Sequence, residues 1–68
     1  MTSQQRNLII PLLLSMQNVK TMEQVDLLWA AIDAACRQAG VQIGNKPTSV
    51  PQAKTTANAL RMRLLGSR

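Results

Sequence analysis

T-M-E-Q-V-D-L-L-W-A-A-I-D-A-A-C-R-Q-A-G-V, residues 21–41, is the stretch that decides the fold class. It reads as one amphipathic helix with both ends marked. Thr21 is a good N-cap, and Gln24 three residues on completes a capping box. Glu23 favours the positive end of the helix dipole. At the other end Gly40 suits the left-handed position after the C-cap, with Val41 placed against Cys36 in a Schellman arrangement. Between these signals Val25, Leu28, Trp29, Ile32 and Cys36 recur at three- and four-residue spacing, which predicts a core stripe on a helix over 22–39. Asp26, Asp33 and Arg37 fall on the opposite side. Asp33 and Arg37 form an i,i+4 pair in the favourable order, adding about 0.2–0.5 kcal/mol. Leu27, Ala31 and Ala34 make a second row whose small residues admit close approach of another helix, so this helix can pack on two sides.

Upstream, Met1 to Asn7 is polar and is expected to fray at its start. Leu8 to Met16, L-I-I-P-L-L-L-S-M, is the most hydrophobic run. Pro11 interrupts it, since proline has no N–H and clashes with a helix interior. Two helical readings stand. Asn7 caps a helix with Pro11 near its first turn, or a helix begins near Ser3 and kinks at Pro11. A strand is the weaker third option, because Leu-rich runs are poorer strand formers than Val- and Ile-rich ones. The first reading, a helix over 8–17, is favoured. That helix is apolar on nearly every side through Leu14, and such a helix is normally buried all round. In so small a protein this implies a second copy or a partner. Gln17 to Lys20 is a short polar link, so the first two helices are expected to be antiparallel neighbours.

Downstream, the segment 41–49 is the main break, punctuated by Gly44, Asn45 and Pro47. A basic helix is then expected over 50–65. Ser49 with Gln52 repeats the capping-box spacing, Pro51 fits the first turn, and Gly66 ends the helix. Ala53, Ala57, Leu60 and Leu64 make its narrow apolar stripe. Thr55, Thr56 and Asn58 weaken its intrinsic propensity, so it needs docking to be stable.

These elements make one all-α domain over 1–68, a small helical bundle of two to three helices. Sixty-eight residues bury only about 60% of the unfolded surface, and domains of this size usually need a staple. One cysteine excludes an intramolecular disulfide, and with no histidine there is no zinc-site pattern and no cofactor is implied. Oligomerisation remains, and completion by homodimerisation is expected. Leu8, Ile9, Leu12, Leu13, Val25, Leu28, Trp29 and Ile32 are the candidate core or dimer interface. With 46% apolar residues and a single aromatic, that core is aliphatic and suits helix packing better than sheets. Leu8 to Leu14 is too short to span a bilayer, and Ser15 to Asn18 is a poor signal-peptidase site. A cytoplasmic protein with Cys36 reduced is expected.

Catalysis is not expected. There is no histidine or tyrosine, the acids line one helix face, and Cys36 lacks an imidazole to activate it. Gly40, Gly44 and Lys46 have the wrong spacing for a phosphate-binding loop, and they follow a helix. The net charge is +5, and from residue 34 onward the chain carries six basic residues and no acid. That asymmetry permits an acidic partner, protein or nucleic acid. The second helix, break and third helix resemble the outline of a helix-turn-helix, although a break of about nine residues is long for its turn. Lys46, Lys54, Asn58, Arg61, Arg63 and Arg68 are the candidate binding residues for either ligand. The leading expectation is a small non-enzymatic regulatory protein that binds a partner protein with an acidic surface, as an inhibitor or adaptor. The alternative is a DNA-binding regulator using the basic C-terminal helix.

Overall fold

Thr2, and not Asn7, starts the first helix. Its Oγ1 accepts from the Gln5 N–H at 3.1 Å, and Gln5 Oε1 accepts from the Thr2 N–H at 2.9 Å. Two otherwise orphaned donors are satisfied reciprocally. The computed structural model describes residues 2–66 and holds, among them, three α-helices and no strand. These are α1 (Ser3–Gln17), α2 (Met22–Gln38) and α3 (Val50–Gly66). The favoured start at Leu8 is therefore corrected: Ser3 to Asn7 is the first part of α1, which begins where the second reading put it. Gln4, Gln5 and Arg6 are good helix formers. Together with the Thr2 cap they carry the helix through Pro11, which lies inside it. Proline cannot donate to the Asn7 carbonyl, at a typical cost of about 3 kcal/mol. Pro11 and Asn7 are both exposed, so water can take up the freed carbonyl.

The caps of α2 and α3 share a variation on the capping box. Thr21 Oγ1 accepts from the Gln24 N–H at 3.2 Å, but Gln24 Oε1 takes the N–H of Lys20, at 2.7 Å. Ser49 Oγ likewise accepts from the Gln52 N–H at 3.2 Å, while Gln52 Oε1 accepts from the Thr48 N–H and hydroxyl at 3.0 and 2.7 Å. Each glutamine thus reaches one residue beyond the cap. Gly40 has φ +72°, and the N–H groups of Gly40 and Val41 donate to the carbonyls of Arg37 (3.2 Å) and Cys36 (2.9 Å). This is the Schellman arrangement, in which glycine tolerates the left-handed conformation. α2 ends at Gln38, with Ala39 as its C-cap, and α3 continues through Gly66.

α1 is the central element. It packs against both α2 and α3, which touch each other only slightly. Its inward stripe is Ile9, Leu13 and Met16, facing Val25, Trp29, Ile32 and Cys36 of α2 and Ala53, Ala57, Leu60 and Leu64 of α3 in one continuous core. Val19 and Pro47 are also buried, although the sequence reads the first as part of a polar link and the second as turn punctuation. Val41, Ile43 and Val50 pack against the core, so the connection between α2 and α3 is partly anchored. The expectation that α1 is buried on every side is not met within one chain, because Leu8 is 64% exposed. Two neighbouring helices cover only part of a helix's circumference.

The interior proline yields a direct test. Pro11→Ala restores a backbone donor at an exposed position and should stabilise the fold by about 1–3 kcal/mol, at roughly 4–8 °C in Tm per kcal/mol. Urea and thermal unfolding read this out. A loss of stability would show that α1 needs the proline geometry to fit both partners.

Candidate interaction surface

Of the six basic and polar residues expected to bind a ligand, the five that are described do not converge on one patch. Lys46 lies in the α2–α3 connection, and its Nζ pairs with Asp26 Oδ1 on α2 at 2.9 Å. Both side chains are about half exposed, so the pair contributes about 0–1 kcal/mol. Lys54, Asn58 and Arg61 recur at four- and three-residue spacing on α3 and so share one face. Arg63 falls on another flank, where its Nη2 donates to the Gln42 carbonyl at 3.2 Å. Its role is to tie the end of α3 to the connection after α2. Arg68 lies outside the described residues.

The α3 face borders α1. Asn58 Oδ1 accepts from Gln17 Nε2 at 3.2 Å and from Arg61 Nη2 at 3.4 Å. Arg61 Nε is shielded from solvent and meets no acceptor among the described residues. Lys54 is exposed, and no acidic residue lies on α3. Leu65 continues the Lys54, Asn58 and Arg61 stripe by one more turn, and Met62 sits beside it. These two are 55% and 61% exposed. The surface is thus cationic at one end and apolar at the other. Sequence reasoning named the charges and missed Met62 and Leu65. The signal was available, since both fall outside the Ala53, Ala57, Leu60 and Leu64 stripe.

The residues expected in the core or a dimer interface divide. Ile9, Leu13, Val25, Trp29 and Ile32 are buried within a single chain, and Leu12 and Leu28 pack partly against them. Only Leu8 stands largely outside. On α1 and α2 the exposed large apolar side chains outside this set are Leu14 and, at 75% exposure, Leu27. On α2 Leu27 begins the second row. Its row continues through Ala31 and Ala34, both exposed. The second packing side of α2 is therefore present and uncovered.

Other features are accounted for locally. Asp33 and Arg37 form their i,i+4 ion pair at 3.1 Å, on the rim of an open hollow of about 500 Å³ beside Gly40 to Ile43. The two helices of the helix-turn-helix outline, α2 and α3, both lean on α1 and barely meet each other. No group of three or more His, Cys, Asp or Glu side chains comes together among the described residues. No helix there is long and apolar enough to cross a membrane. No family model, curated protein or solved structure matches the chain.

Cys36 is buried in the α2 stripe. Burial pushes its thiol above the ordinary 9.0, and Asp33 adds to this while Arg63 opposes it. An acid held neutral in the fold ionises more readily in the unfolded chain. Its contribution to stability is therefore whole below about pH 9 and is lost as pH rises from there toward the folded-state value. Urea titrations between pH 8 and 10.5 should show that decline, and Cys36→Ala should lessen it. A thiol reagent at neutral pH should label the chain only at its unfolding rate.

Proposed function

We propose that the chain is a small non-enzymatic regulatory protein of the inhibitor or adaptor type, which acts as a homodimer and binds a partner protein with an acidic surface. The observation that carries this reading is the mixed stripe on α3. Lys54 and Arg61 supply positive charge with no acid on the same helix, and Leu65 and Met62 supply exposed apolar area beside it. A cationic-apolar helix face is suited to an acidic groove, where charge steers the encounter and buried apolar side chains supply most of the affinity. The three acids of the chain are all on α2, and Asp26 and Asp33 are already paired, so they do not neutralise this stripe. The Gln5 Nε2 contact with the Gln38 carbonyl, at 3.4 Å, joins the start of α1 to the end of α2 and supports an antiparallel pair. A reduced, buried Cys36 fits work in the cytoplasm.

A DNA-binding regulator is the second reading. It draws on the same stripe, in which Asn58 lies between two cations.

Affinity capture from the source cell, with and without nuclease, separates the two. The protein-partner reading expects a bound protein that survives nuclease treatment. It further expects retention to fall at least about tenfold in a Lys54→Glu, Leu65→Asp double variant, whose substitutions are both at exposed positions. The DNA reading expects capture to vanish with nuclease. It also expects affinity to fall steeply between low and moderate salt, and to weaken in Lys54→Ala and Arg61→Ala. A nuclease-resistant partner indifferent to the double variant would remove α3 as the binding face.

A further inference from the structure

One groove of the molecule is lined without a charged side chain. On α1, Leu8, Leu12 and Ser15 follow at four- and three-residue spacing and so form one row. On α2 the facing flank holds Leu28, with Leu27, Ala31 and Ala34 in the next row outward. Between the two helices runs a groove of about 470 Å³, lined by Ser15, Asn18, Val19, Gln24, Leu27 and Leu28. Every one of these side chains is uncharged, on a chain whose net charge is +5. Charge enters only at the edge, where Glu23 lies one turn before Leu27 on its row, Asp26 flanks Leu27, and Lys20 follows Val19.

We infer that this α1–α2 face is where a second copy of the chain docks, with Leu27 of each copy seated in the groove of the other. The inference rests on the homodimer reading above and names its surface. Three features of the face favour a second copy over a different partner. Two chains of +5 repel each other, and this face lets them meet without opposing their cations. A projecting Leu27 beside an uncharged hollow floored by Val19 and Leu28 is self-complementary, which is what a two-fold interface requires, because each contact is made twice. The hollow is ample for a leucine side chain, given that a cavity of about 150 Å³ already admits benzene. Ala31 and Ala34 are small and exposed, so the backbones of two α2 helices can come close. The cationic α3 stripe remains free in such a pair, available to a third molecule.

Leu13 and Leu28 are poor probes of this interface, since both belong to the packing of one chain. Leu27 is not, being 75% exposed. Sedimentation equilibrium of the wild type, Leu27→Asp and Met62→Asp, each checked for helicity by circular dichroism, decides the matter. The expected result is a wild-type dimer, a helical Leu27→Asp chain whose dimer dissociation constant rises by about a hundredfold or more, and a Met62→Asp chain that dimerises as the wild type does. A wild type that is a compact monomer overturns the homodimer reading and this inference together. A dimer that tolerates Leu27→Asp, or is broken by Met62→Asp instead, overturns the α1–α2 face and leaves the homodimer reading standing. If Leu27→Asp loses helicity, Ala31→Glu replaces it under the same criteria.

Discussion

The fold depends on the two-sided burial of α1. Its Ile9, Leu13 and Met16 stripe is the floor on which both α2 and α3 rest, and without it those two helices have almost nothing to hold each other. A chain of this size has little apolar surface to spare, so sharing one helix between two partners makes each buried side chain serve twice. The arrangement also explains the long connection between α2 and α3. That connection must carry the chain from one side of α1 to the other, and it is pinned on the way by Val41, Ile43, buried Pro47 and the Lys46–Asp26 pair. Of the three helices α3 leans most on this support. Its stripe is half alanine, and its outer residues include threonines that favour helix weakly.

Charge placement follows from the same geometry. The acids sit on α2, and Asp26 and Asp33 face the connection and the last turn of their own helix, where Lys46 and Arg37 meet them. Arg63 is drawn to the Gln42 carbonyl. These local pairings use up part of the positive charge that a tally of the sequence assigns to binding. Among the described candidates what remains is narrower and more definite: Lys54 and Arg61 on α3, next to exposed Met62 and Leu65. The groove between α1 and α2 is lined by uncharged side chains, with Glu23 and Asp26 at its margin beside Leu27. The molecule therefore presents two unlike surfaces, a cationic stripe on α3 and an uncharged groove between α1 and α2.

Much of the fold was legible because periodicity and caps agree. The α2 stripe, the Gly40 ending and the α3 stripe all follow from local spacing, and tertiary context leaves them unchanged. The start of α1 near Ser3 is the second of two readings the sequence allows, because Pro11 argues against a helix interior and the Thr2–Gln5 cap shows only in the structure. In the protein the cap, good helix formers and an exposed Asn7 carbonyl outweigh the proline. The rank of the helices was missed for a different reason. α2 has the clearest signals and decides the fold class, but clear local signals do not mark the central element. Centrality is a property of packing, and α1 has it by lying between the other two. Val19 and Pro47 show the same limit, since nothing in a link or a turn announces that it will plug a core. At the surface the charged residues were identifiable, but not that Lys46 and Arg63 would be spent on local ties. That depends on distances between segments far apart in sequence.

The claim that α1 holds the domain together is tested most directly by native-state amide hydrogen exchange. The account predicts that the amides around Leu13 and Met16 are protected at least as strongly as those around Trp29 and Ile32, with α3 exchanging sooner. Fast exchange throughout α1 under conditions where α2 stays protected would contradict it, and would return α2 to the centre of the fold.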